Sequence, residues 1–406
     1  MDARTPERAR AALPAVVGAA IALRLLVGAA VATSLAAGIV GGLWRAGAPV
    51  VAGSWLAQAV PFHAALMIGV FFGSVIGLER AVAVKRRLAF TAPLAAALAG
   101  PCLLAGRVTA GQALLVVAGI AFVAVNVAIV RRQRQAHTVL LLVAALAWLA
   151  GNLGFAAGEA GPATLSCWFA FLALTIAAER LEITRLLRRR PGALATFFAI
   201  VAALLAGAAL SAVAPAAGGM GFGAALSFWL MRHDIARRTV HAQGLSRYMA
   251  VCLLAGYAWL AVAGLAWVAL AAGAFAARDA ALHGLGIGFV LSMVMGHAPV
   301  ILPALARVKV EFGPWFYAPL ALLHGSLLLR LAGGAVDPAW RARCRGQCLG
   351  LAADRRGHGG RCARLAPAAL RRPAASAQGC GKPRRAAISS PMRRSASALP
   401  WACTSG

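Results

Sequence analysis

Apolar residues along this chain come in long runs that short polar clusters separate. The runs have roughly the 17–25 residues that an α-helix needs to cross a bilayer. Eleven are predicted as spans, at 25–43, 63–78, 88–106, 108–130, 138–157, 163–178, 192–215, 216–231, 249–275, 280–306 and 314–331. The pattern therefore predicts an all-α fold, a polytopic transmembrane helix bundle.

Basic clusters alternate with these spans. Arg and Lys clusters precede span 1 and follow spans 2, 4, 6, 8 and 10, whereas the loops between them hold at most one basic residue, such as Arg45, Arg107 or Arg278. Cytoplasmic loops carry an excess of Lys and Arg. The alternation therefore predicts a multi-pass protein with a cytoplasmic N-terminus, and it supports the number of spans independently.

Composition agrees with a lipid environment, because 61% of the residues are hydrophobic and 13% are charged, against about a quarter charged in globular domains. A net charge of +29 would indicate nucleic acid in a soluble chain. Here the basic residues lie between the apolar runs, so the predicted partner is the lipid bilayer and no nucleic acid. The pattern does not define an oligomeric state.

Three segments are predicted: a cytoplasmic N-terminal segment at 1–24, a transmembrane helical domain at 25–333 and a disordered basic tail at 334–406. From Arg341 onward the tail holds thirteen Arg and one Lys against one acid, Asp354, and no run long enough to span. After eleven spans it would begin on the outer face, against the rule that the other loops obey. We interpret it as a frame-shifted translation that replaced a twelfth helix.

A weak internal repeat agrees with a twelve-helix plan. Spans 2, 6 and 10 end in "LERAVAVKRR", "AERLEITRLLRRR" and "LARVKVEFG", which aligns Arg80, Arg180 and Arg307. A four-helix unit used three times would give twelve helices. The alternative is that any cytoplasmic helix end carries Arg.

Four histidines lie within the predicted spans, where ionisable groups are costly and indicate functional sites. Topology places His63 and His283 at one level near the outer surface, on separate helices. His324 is predicted at mid-membrane or slightly toward the outer side, from where it could join them. Two rings at one level can ligate one haem iron from two helices. The alternative is that each ring is a hydrogen-bond donor that bridges helices.

His297 lies fourteen residues after His283, about 21 Å deeper, and about 100° per residue returns it to nearly the same helix face. Together with Glu79 at the cytoplasmic end of span 2, it is a candidate proton relay, because Glu and His chains carry protons in transporters. Pro299 and Pro303 predict a broken helix, which is also typical of transporter sites. Glu79 is otherwise expected to form an ion pair that clamps helix ends.

Small residues follow both outer histidines. They permit the close approach of a planar cofactor or of a neighbouring helix, and helix packing is the favoured reading. The glycines are Gly69, Gly73, Gly77, Gly284, Gly286 and Gly288.

The "HAALM" at the start of span 2 and the "HGLGIGFVLSMVMGH" of span 10 resemble the NnrS family of bacterial haem- and copper-containing membrane proteins. They are more distantly similar to the main subunit of haem–copper oxidases. The resemblance covers spans 2 to 11 as architecture and two short motifs. It implies that His63 and His283 are the axial ligands of a b-type haem, in an inner-membrane protein that responds to nitric oxide or redox stress through a small diatomic ligand.

The chain departs from these families in two places. Oxidases need histidines in helices 6 and 7, but "ATLSCWFAFLALTIAA" and "GALATFFAIVAALLAGAALSAVAP" contain none, and the His-rich second helix of NnrS is reduced to one His. We therefore expect no dioxygen-reducing centre, and copper is not favoured as a cofactor. We also favour a protein that is not an enzyme. Two alternative functions stay open: a proton-coupled transporter that uses His297 and Glu79, and a membrane scaffold.

Overall fold

A computed structural model describes residues 5–46, 56–159, 161–185, 191–214, 219–306 and 311–336. These residues form helices and connecting turns, with no strand among them, which confirms the predicted all-α class. Arg307 and the predicted basic tail, apart from the helical residues 334–336, lie outside the described residues.

Eleven helices of the described chain follow the eleven predicted spans in order. They are α1 (Thr5–Arg45), α2 (Ala65–Val84), α3 (Arg87–Leu104), α4 (Val108–Arg132), α5 (Ala136–Ala156), α6 (Pro162–Ile183), α7 (Ala193–Leu210), α8 (Gly223–His233), α9 (Gly244–Ala271), α10 (Phe275–Val300, continuing to Ala306) and α11 (Pro314–Gly333, continuing to Val336). All except α8 are long and apolar enough to cross a membrane, α1 through its part Arg24–Arg45. The chain is a helical membrane protein.

Two ends of this bundle are used below as reference points. Arg80 and Arg180 lie near the last residues of α2 and α6, and their side of the bundle is called the arginine end. His63 and His283 lie at the opposite side, where α2 begins and where α10 completes its first turns, and this side is called the histidine end.

Helix α8 corrects the predicted eighth span, because it has eleven residues and is only about 16 Å long, against a hydrocarbon core of about 30 Å. Gly219, in a turn before it with φ +43°, lies against Trp267 near the histidine end of α9. Trp229 donates to the carbonyl of Ala193 at the arginine end of α7, at 2.9 Å. The segment thus passes between the two ends as a turn followed by a short helix.

Helix α6 lies at the centre of the bundle. Two thirds of its most apolar window is buried, compared with 11% for α11, and a helix that is hydrophobic all round is expected in a core. It contacts both α2 and α10. Phe171 of α6 stacks on the fully buried Trp148 of α5, with ring centroids 5.2 Å apart. The two histidine-bearing helices are therefore both positioned against one buried helix.

The helices that carry His63 and His283 share an uncommon backbone conformation. In α2 the residues Ala65–Phe72 form a π-helix, and in α10 the residues Gly284–Leu291 form another, each eight residues long. No further π segment occurs in the described chain. Such wider turns are rare in proteins, and those that occur are often found at functional sites.

Candidate functional site

His63 is held by a single hydrogen bond to the first helix. Its Nδ1 lies 2.6 Å from the carbonyl oxygen of Gly38. A carbonyl only accepts, so Nδ1 carries the hydrogen and donates, and the lone pair is left on Nε2. A Cβ on Gly42 would lie 2.7 Å from the Cε1 of His63, so the absence of a side chain there lets the ring lie against α1.

His283 is held in the same sense by a carboxylate one turn earlier. Its Nδ1 lies 2.9 Å from the Oδ1 of Asp279 and 3.2 Å from the Asp279 backbone oxygen. Asp279 also accepts two hydrogen bonds of 2.9 Å from the Nε and Nη2 of Arg330 in α11. A bidentate pair of this kind fixes the carboxylate. The carboxylate in turn orients the ring and again leaves the lone pair on Nε2.

The structure places these two rings at the same end of the bundle. His283 is near enough to His63 for the charges of the two rings to interact, and Arg45 and Arg330 lie within the same electrostatic range. Both rings are followed within two residues by a π segment. The combination is a pair of anchored imidazoles on separate helices.

His324, predicted as a third member of this group, is placed between other side chains. Trp259 of α9 donates to its Nδ1 at 2.9 Å, with the two rings nearly parallel, and its Nε2 lies 3.4 Å from the Oγ of Ser292. Both ring nitrogens thus have partners within the protein. The observed contacts give His324 a helix-bridging position among α9, α10 and α11.

The glycines below the two histidines are mostly used for helix packing. A Cβ on Gly73 would come within 2.2 Å of Trp148, and one on Gly288 within 2.4 Å of Trp259. Beside Gly286, however, the nearest atom would be 3.7 Å away. Aromatic side chains therefore occupy the space that the first two glycines provide.

His297 lies toward the arginine end of α10. Its Nδ1 is 2.7 Å from the backbone oxygen of Met293. Its Nε2 is buried and has no hydrogen-bond partner among the described groups. Arg180, Glu79 and Asp234 are close enough to act on its charge, so the two predicted relay residues, His297 and Glu79, lie in one region.

Ion pairs of two arginines, Arg80 and Arg180, lie in that region. Arg80 lies 3.5 Å from Glu79 and 3.2 Å from Glu179. The expected clamping of helix ends is therefore observed, and the clamp joins α2 to α6.

The second pair joins Arg180 of α6 to Asp234, at 3.4 Å, with side chains only 4% and 1% exposed. Tyr257 of α9 donates to the same carboxylate at 2.7 Å. The basic loop that contains Asp234, "RHDIARRTVHAQGLSR", is typical of an interfacial anchor. Asp234 is a buried ion-pair partner within it, which the exposed Arg232 and Arg237 on either side do not reveal.

The described residues offer few side chains that could bind a metal ion together. No group of three or more His, Cys, Asp or Glu side chains that could hold a metal ion occurs among them. At the histidine end these residues offer the two anchored imidazoles of His63 and His283, whereas the carboxylate of Asp279 is engaged by Arg330.

The fold defines a polytopic helical membrane protein with an anchored histidine pair at one end and buried ion pairs at the other. The chain belongs to the family described as a domain of unknown function, DUF8744, whose model matches residues 23–353. Comparisons with curated proteins and with solved structures gave no match.

Proposed function

We propose that this protein is an NnrS-like haem-binding protein of the bacterial inner membrane, which takes part in a response to nitric oxide or redox stress. The observation that carries the proposal is the matched anchoring of His63 and His283. In each ring Nδ1 donates to a fixed oxygen, and Nε2 keeps its lone pair. This is the arrangement in which an imidazole binds a metal.

The two residues would hold the iron of a b-type haem. A haem between bundle helices takes its protein ligands from facing helices, and imidazole is a common protein ligand of its iron. The bound haem would supply an iron that changes oxidation state, or one that takes a small diatomic ligand in place of one of the two imidazoles. The role of the chain is to hold both rings by their Nδ1 atoms and so to direct Nε2 to the iron.

Orientation is part of the same proposal. Basic residues follow α2, α4, α6 and α8 at the arginine end, including Arg86, Arg131 and Arg185. The positive-inside rule then puts this end and the N-terminus in the cytoplasm. The histidine pair would lie near the outer face.

The test is a reduced-minus-oxidised absorption spectrum, with pyridine extraction, of protein purified in detergent. We expect His63→Ala and His283→Ala each to remove the haem absorbance. His297→Ala and His324→Ala are controls, because His297 lies toward the arginine end and both ring nitrogens of His324 have partners within the protein, and both should keep most of it. Colourless wild-type protein made with ample haem supply would overturn the proposal, as would equal loss in all four variants.

A proton-coupled transporter is the second candidate, because the buried Nε2 of His297 has no partner among the described groups and Glu79 lies within its electrostatic range. Proton uptake into liposomes would then depend on both residues. We expect His297→Ala and Glu79→Gln to abolish the uptake if the protein is a transporter, and His63→Ala to leave it unchanged. Uptake that is absent in the wild type would exclude this candidate.

A further inference from the structure

A cavity of about 540 Å³ opens at the arginine end, beside the short helix α8. It lies between α8, the helical turn Ala236–Thr239 and α9. Three basic side chains line it, Arg232, Arg237 and His241, and all three are exposed. No acidic residue is among its lining residues.

The rest of the lining is apolar. Phe228, Met231 and Leu254 belong to the helices α8 and α9, and Phe228 is 72% exposed. This exposed ring is available to contact an acyl chain. The cavity is therefore cationic where the loop follows α8 and apolar along the helices.

The loop that carries the basic residues is held rigidly. Asp234 accepts from the backbone N–H of Ala236 at 2.8 Å and from the hydroxyl of Tyr257 at 2.7 Å, and it pairs with Arg180. The buried carboxylate thus fixes the backbone between Arg232 and Arg237. Their guanidinium groups are presented from a fixed loop, which reduces the entropy lost on binding a ligand.

We propose that this cavity binds an anionic phospholipid of the surrounding bilayer. The phosphate would lie among Arg232, Arg237 and His241, and one acyl chain along Phe228 and Leu254. Guanidinium groups match phosphate oxygens in geometry and charge, and basic pockets between membrane helices bind anionic headgroups. The inference does not depend on the haem proposal, since the cavity lies at the other end of the bundle.

The experiment measures lipid binding to the purified full chain by native mass spectrometry, with phosphatidylglycerol and phosphatidylcholine as probes. We expect phosphatidylglycerol to bind more tightly. Arg232→Gln combined with Arg237→Gln should weaken that binding on the order of tenfold or more, since each basic residue near the headgroups contributes independently. Phe228→Ala should weaken it by a smaller factor.

The matched control is Arg131→Gln combined with Arg132→Gln, which removes two exposed basic residues at the end of α4, away from the cavity. It should bind phosphatidylglycerol like the wild type. Equal losses of phosphatidylglycerol binding in the two double variants would mean that the lipid is attracted to basic surface residues in general, and would overturn the proposed site. Equal binding of the two lipids, or displacement of phosphatidylglycerol by an equal concentration of inorganic phosphate, would also overturn it.

Discussion

Replacing Asp279 by Asn should weaken haem binding without removing either proposed ligand. The carboxylate accepts two 2.9 Å bonds from Arg330 and one from the Nδ1 of His283. Asn keeps an oxygen for the imidazole but turns an amide N–H₂ toward the guanidinium. Loss of such an orienting carboxylate typically costs about 10–100-fold in metal affinity.

The same change should also lower stability. Losing a hydrogen bond to a charged group costs roughly 1–3 kcal/mol. The Asp279 side chain is 34% exposed and that of Arg330 is 19% exposed. Water screens this pair partly, so the low end of that range is expected.

The assay is a haem titration of the purified protein followed by absorbance, with thermal unfolding measured in parallel. Asp234→Asn is the matched control, because it also neutralises a carboxylate paired with an arginine, but at the arginine end. That variant should lose stability and keep its haem affinity. If Asp279→Asn instead unfolds earlier and binds haem as tightly as the wild type, the carboxylate is structural and does not orient His283.

Three further predictions address the helix contacts and the tail. Gly42→Ala places a Cβ 2.7 Å from the ring of His63, so haem absorbance should fall while helix content by circular dichroism is retained; unchanged absorbance would mean that the ring position is not critical. Gly73→Ala places a Cβ 2.2 Å from the buried Trp148 and should lower the free energy of unfolding by about 1–3 kcal/mol, whereas Gly325→Ala, at a helical position with no atom within 4 Å of its Cβ, is the control for the added methyl group alone. Removing residues 341–406 should leave membrane insertion of α1–α11 intact in a protease-protection assay. Another reading frame of the coding DNA beyond about residue 331 should encode about 20 apolar residues. A gene without such a frame would contradict the frame-shift interpretation.

The spans were predictable because a helix in lipid must be apolar over its whole length, and such runs are visible without any knowledge of packing. The exception is the eighth. Its stretch "AAGGMGFGAALSFWLM" is apolar throughout, so hydropathy cannot distinguish a full helix from a turn at Gly219 followed by the short α8. Glycine content was the available signal, but glycine is common in membrane helices.

The candidate site was predictable only in part. The four-residue spacing of Asp279 and His283 puts them on one helix face, so their contact could have been found from the sequence. The partners Gly38 and Arg330 lie 25 and 51 residues away along the chain from His63 and Asp279. Such contacts depend on how helices pack, and no local pattern encodes them. The same holds for Asp234 and its partner Arg180.

The π segment of α10 changes which neighbours its two histidines address. The expectation that His283 and His297 share a face assumes regular α-helical winding, but Gly284–Leu291 separates them. A π turn, with i→i+5 hydrogen bonds, holds about one residue more than an α turn, so eight residues retard the winding by roughly 1.5 residues, or about 150°. The two imidazoles of one helix then lie on nearly opposite faces, with His283 in electrostatic range of His63, and His297 in range of Arg180 and Asp234. A chemical change at one ring is therefore not relayed to the other along a common stripe of side chains on α10.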